Sequence, residues 1–182
     1  VPPPADLEEW DKTVVNSLTV TSGLRLWVGT NDGIFVRHSG QWSAMGVNEG
    51  LPSMRVMKVA LADATRGWVV TDQGLCQYNE GRFVTNSSIT MNVGESLEQA
   101  VGRWMDSQDA VALGRVVSAV REANKLASDA APEAGKVLSV PFSLGLHGDI
   151  TCVSLDDYDR LWVGTTLGAF RYSRGTWNSF GY

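Results

Sequence analysis

Two cysteines and two histidines are all that the 182 residues offer of the side chains that most often build metal centres, disulfide frameworks and nucleophilic sites. Cys76 and Cys152 are too few for a disulfide scaffold and too far apart for a zinc or redox motif, so they read as two buried thiols. His38 and His147 fall in different segments, and neither lies in a His-x-x-x-His or Glu-x-x-His frame, so no metal site and no cofactor are expected. There is no Gly-x-Ser-x-Gly elbow and no phosphate-cradling glycine loop. Asp156, Asp157 and Asp159 crowd one turn without the alternating oxygen ligands of a calcium loop, and are expected to shape that turn. These absences argue against catalysis.

Positive charge is also in deficit. Fifteen Lys and Arg against 20 Asp and Glu give −5, which argues against nucleic acid or an anionic bilayer as partner. No apolar run approaches the ~20 residues that span a bilayer, so membrane insertion is not expected. With 43% hydrophobic and 19% charged residues the chain can bury a core, which excludes wholesale disorder. Val1-Pro2-Pro3-Pro4 opens a stretch, residues 1–13, that reads as a linker; any targeting peptide would precede it.

What the chain does have is a repeat. Leu26-Trp27-Val28-Gly29-Thr30, Gly67-Trp68-Val69-Val70-Thr71 and Leu161-Trp162-Val163-Gly164-Thr165 align without a gap. Each Trp precedes one glycine by 6 residues (Gly33, Gly74, Gly168) and a second by 13 (Gly40, Gly81, Gly175), and an aromatic follows at Trp42, Phe83 or Trp177. A β-branched and aromatic run, two connecting residues, a glycine and a second apolar run predict a tight hairpin. Further alternating runs upstream (17–20, 56–61, 150–155) and after the second glycine predict four short strands per unit. The step of 41 residues from Trp27 to Trp68 is that of a β-propeller blade.

At these residues the chain resembles the two-component regulator propeller repeat, whose units carry Leu-Trp-Val/Ile-Gly-Thr, two variable residues, Gly, an aliphatic and an aromatic. Gly50-Leu51-Pro52-Ser53 and Gly145-Leu146-His147-Gly148 are similar to that family's link between blades. The second unit departs from the pattern, with Val70 for Gly and Cys76 for the aromatic. The resemblance implies a mainly all-β fold of three four-stranded blades, at about 14–48, 54–88 and 148–182, together a partial propeller spanning 14–182. It further implies an extracytoplasmic input module of a bacterial sensor, in the periplasm or at the cell surface.

From Trp68 to Trp162 is 94 residues, about 53 more than the blade step, and the excess lacks the Trp motif. Residues 92–135 are expected as a helical insertion: Ser96 and Gln99 fit a capping box, and Leu97, Val101, Trp104 and Met105 share one face. The stripe shifts phase near 106–109, which suggests two helices or one kinked helix, ending by Ala130-Ala131-Pro132, with 136–142 returning to the propeller. That face either packs on its own blade or docks another chain.

Three blades do not close a ring, so other blades or another protein chain are expected to complete it. The expected function is a non-catalytic ligand-binding, sensing or protein-interaction module; the alternative is an accessory structural subunit gripping a larger assembly through the arc and the helical insertion. A small-molecule or glycan ligand would meet the turn end of the blades, at Asn31, Asp32, Arg55, Asp72, Gln73, His147, Asp149 and Thr166, unless these are simply solvated turns. Trp27, Trp68 and Trp162, in one register, are expected to pack blade against blade.

Overall fold

In the computed structural model, residues 13–105, 110–127, 132–173 and 176–180 are described. The fold is mainly antiparallel β. The first sheet is β1 (Val15–Thr21), β2 (Arg25–Thr30), β3 (Gly33–His38) and β4 (Gln41–Met45), and the second is β5 (Val56–Leu61), β6 (Arg66–Thr71), β7 (Gly74–Asn79) and β8 (Arg82–Val84). Next come β9 (Asn86–Thr90), helices α1 (Leu97–Met105) and α2 (Ala110–Ala123), and β10 (Val137–Pro141). The third sheet is β11 (Ile150–Leu155), β12 (Leu161–Thr165), β13 (Gly168–Ser173) and β14 (Thr176–Phe180). In all three sheets the strands pair in chain order, which is consistent with blades of a propeller-like fold; no closed ring is formed by the described residues.

One piece of chemistry closes all three hairpins. Thr30 Oγ1 donates to the Gly33 carbonyl (3.0 Å) and accepts from the Asp32 amide (2.9 Å). Thr71 does the same with Gly74 and Gln73, and Thr165 with Gly168 and Leu167. Gly33, Gly74 and Gly168 have φ of 101°, 121° and 131°, a region that disfavours any side chain. The Thr-x-x-Gly of the repeat is thus a hydroxyl-stapled turn.

Sheets stack through one aromatic register. Trp27 and Trp68, on the front faces of the first and second sheets, meet Tyr78 and Tyr172 on the backs of the second and third, each pair edge-on with centroids 5.2 Å apart. Tyr78 in turn abuts Phe83, and Tyr172 abuts Trp177, both at 5.1 Å. Each such contact contributes about 0.5–1.5 kcal/mol beyond its buried area. Around them lie two cores: Ile34, Val36, Leu51, Val56, Val59 and Val69 between sheets one and two, and Val70, Leu75, Phe142, Leu161 and Val163 between sheets two and three.

The residues between sheets two and three form a separate small unit. Residues 136–142 are expected to rejoin the propeller; Phe142 does so, but β10 pairs with β9 as a two-stranded ribbon under the helices. The capping box forms: Ser96 Oγ accepts from the Gln99 amide (3.2 Å) and Gln99 Oε1 from the Ser96 amide (2.8 Å). At the C-terminal end of α2, the Asn124 side chain donates to the Ser139 carbonyl and accepts from its amide, both at 2.8 Å, so it pairs with β10 as a third strand would. Arg103 donates to the Glu95 carboxylate from Nε and Nη2 (2.9 Å each), and this bond, with the Asn92 amide, draws the Glu95 carboxyl down to about 2. The expected phase shift at 106–109 and the terminator at 130–131 lie outside the described residues.

Candidate functional site

Of the eight polar residues expected at the turn end, four come together in two pairs. The Asp72 amide donates to the Arg55 carbonyl at 3.2 Å. Thr166 and Asp149 exchange two bonds, from the Thr166 amide to the Asp149 carbonyl (3.0 Å) and from the Asp149 amide to Thr166 Oγ1 (3.1 Å). The Asn31 amide donates to the Val14 carbonyl, and its Oδ1 accepts from Asn16 Nδ2 at 2.8 Å. These three turns therefore sit beside the residues that lead into the first strand of their own sheet. Asp32, Arg55, Asp72, Gln73, His147, Asp149 and Thr166 are exposed. Asp32 lines a cavity of about 210 Å³ with Gly46, Asn48, Glu49 and Met54, and the His147 ring stands edge-on to Phe170 at 6.4 Å. Across sheets at this end, the Gly33 amide donates to the Met54 carbonyl at 2.7 Å, and Asn16, which holds Asn31, donates to the Val56 carbonyl at 2.9 Å.

The docking stripe on α1 is corrected. Leu97, Val101 and Met105 are 1%, 0% and 4% exposed, packed with Ile89, Met91, Val117, Val120, Leu138 and Val140 into the core of the helical unit. Trp104 packs at its margin, with Nε1 donating to Ser87 Oγ at 3.3 Å. The stripe is the inward face that a two-helix unit needs to hold its own ribbon, and so is not a surface for another chain. A second correction concerns the thiols: Cys76 is buried between the first two sheets, which pushes its thiol up to about 12, while Cys152 on β11 is exposed.

Asp156 does more than shape its turn. Its carboxylate accepts from the amides of Tyr158 and Arg160, from Arg160 Nε (2.7 Å) and from Trp162 Nε1 (2.9 Å). These bonds hold its carboxyl well below the ordinary carboxylate range. Among the described residues no group of three His, Cys, Asp or Glu side chains is gathered as a metal site. Beside Trp27 a cleft of about 310 Å³ is walled by Arg25, His38, Gln41, Trp42 and Tyr78.

The front face of the third sheet differs from the other two. Trp27 and Trp68 are 1% and 6% exposed because the next sheet covers them. Trp162 is only half-buried, and its neighbours are Phe180, at 5.1 Å and 48% exposed, and Arg171, whose guanidinium lies 5.5 Å from the Trp162 ring and 5.6 Å from the Phe180 ring. Sequence reading treated the three Trp as equivalent; the signal it missed was Arg171 at the position of Val36 and Gln77.

No family model and no curated protein matches the chain. Among solved structures it is similar to the extracellular domain of BT4673 from B. thetaiotaomicron, described both as a one-component and as a hybrid two-component system, at 18% identity and a TM-score of 0.38 over 93% of this chain and 22% of that one. The extracellular domain of BT3049 from the same organism gives 16%, 0.35, 93% and 22%, and YCF48 from Cyanidioschyzon merolae gives 12%, 0.36, 94% and 57%. The chain thus spans about a fifth of the first two proteins' domains. At such TM-scores likeness carries no argument about activity. None of the helices described is long and apolar enough to cross a membrane.

Proposed function

We propose that this chain is an arc of three propeller blades that serves as a non-catalytic recognition module, its open end completed by further blades or by another protein chain. The observation that carries this reading is the uncovered front of the third sheet: Trp162 and Phe180 remain open where Trp27 and Trp68 are sealed. At the other end only the first strand's side chains are open: Leu18 and Val20 are 64% and 63% exposed, while Val28 and Phe35 on the same face are 3% and 1% exposed, and Val59, at the register of Leu18 in the second sheet, is 6% exposed under the first. Apolar faces left open in this way mark interaction sites on soluble proteins.

The polar side chains support a non-catalytic role. The threonines are spent on turns, Asp156 on Arg160 and Trp162, and the two histidines belong to different segments. By its repeat motif the chain resembles sensor input modules, which suggests an extracytoplasmic location and a sensing role; binding of a small molecule or glycan at the turn end remains part of that reading.

The test is a pair of variants. Leu18→Ser with Val20→Ser should leave the thermal midpoint within a degree or two of the parent, while Val59→Ser should lower it by many degrees, because only Val59 is covered. An equal loss in both would show that the first sheet's outer face belongs to the core, and the open-arc reading would fail.

A further inference from the structure

On the front of the third sheet, Arg171 lies beside the touching rings of Trp162 and Phe180, and its Nε is buried with no hydrogen-bond partner. A buried donor with nothing to bond is rare and costly, the more so on a charged group. Among the described residues no Asp or Glu bridges to Arg171, and it is the arginine with a buried Nε left unbonded. Asp156, which bonds the Trp162 indole, is also engaged by Arg160.

The repeat shows what this position faces. Arg171 pairs across strands with Trp162 as Val36 does with Trp27 and Gln77 with Trp68. Val36 lies in the core that contains Tyr78 of the adjoining sheet, so the position looks straight at whatever covers the front face. It is uncharged in the two sheets that are covered by this chain's own residues, and a cation in the one that is not. A second copy, docked back to front in the same register, would bring Arg37, which stands where Tyr78 and Tyr172 stand in the other sheets, onto Trp162 and beside Arg171. Like charges there oppose self-stacking.

Resting on the reading of the third sheet as an open end, we infer that its front face docks a different polypeptide, one whose apolar surface covers Trp162 and Phe180 and presents an aspartate or glutamate to Arg171 beside them. The carboxylate pairs with the half-buried guanidinium in a charge-assisted contact and neutralises it, and the apolar surround seals the rings from water.

A displayed library of β-hairpin peptides with randomised faces, selected on the intact chain, tests this directly. Binders that require Trp162 should be enriched in Asp and Glu. Replacing their acid by Asn or Gln should weaken binding about ten-fold or more, and Arg171→Gln should reduce that difference to within about two-fold. Trp162-dependent binders without acidic enrichment would overturn the carboxylate assignment and leave the open-face reading standing. Failure to obtain any Trp162-dependent binder would overturn both. Thermal melting of Arg171→Met adds a separate readout. An unchanged or raised midpoint is expected once an orphaned charge is removed, whereas a loss as large as that of Trp162→Ala would make the guanidinium structural cement and defeat the proposal.

Discussion

The joint between the first and second sheets and the joint between the second and third use the same aromatic register but are built to different tolerances. At the first, Gly29 lets Val56 and Val59 come close, and three side chains of β1 bond to the backbone of β5: Asn16 and Thr19 donate to the Val56 and Val59 carbonyls (2.9 and 2.8 Å), and Ser17 accepts from the Val59 amide (3.0 Å). At the second, Met57, Lys58 and Ala60 take the places of Asn16, Ser17 and Thr19, and Val70 that of Gly29. Contact there rests on the rings of Trp68, Phe142 and Tyr172 and on the Arg66–Asp159 ion pair at 2.8 Å. The Trp motif therefore sets how sheets are oriented, while the residue two places after the Trp and the polar side chains of the first strand set how tightly they close.

The largest expected effect comes from removing the rings of the looser joint. Trp68→Ala should cost about 3–5 kcal/mol. Amide exchange should then quicken first in β11 to β14 and in β6, with β1 to β3 keeping their protection; uniform loss across all three sheets would contradict a weaker second joint. Smaller, and opposite in logic, is Gly29→Val, which gives the first joint the spacing of the second. A Cβ at Gly29 lies 2.8 Å from Val56 Cγ1 and 3.1 Å from Val59 Cγ2, so overpacking of about 1–3 kcal/mol is expected in denaturant melts. A neutral result would mean that the first joint has the same slack as the second. The smallest effect is chemical: a thiol reagent at neutral pH should label one cysteine per folded chain, Cys152 on the open sheet, and leave Cys76 in the sealed joint untouched until unfolding. Two rapid equivalents would show that the sealed joint breathes.

Much of this architecture was legible in the residues. The Trp-to-Gly spacing marked the three hairpins because a stapled turn needs both its threonine and a glycine at positive φ, and Ser96 with Gln99 marked the start of α1 because both side chains bond only if a helix begins there. The ribbon was not legible, since β9 and β10 pair across the whole helical unit with no turn residues to announce the register. Periodicity showed that Leu97, Val101 and Met105 share a face, yet an amphipathic stripe reads alike whether it covers its own ribbon or another chain. Tyr78 and Tyr172 escaped notice because Arg37 breaks their series in the first unit, and Arg171 because its meaning depends on what lies in front of it.

The threonine staple has a consequence for how such a surface could diversify. Since one hydroxyl and one glycine complete each hairpin, with only backbone amides bonding from the apex, side chains there such as those of Asp72 and Gln73 contribute little to closing it. Their identities can change from one lineage to the next with little penalty to folding, so the rim of the arc can acquire new specificities while the frame beneath it stays fixed.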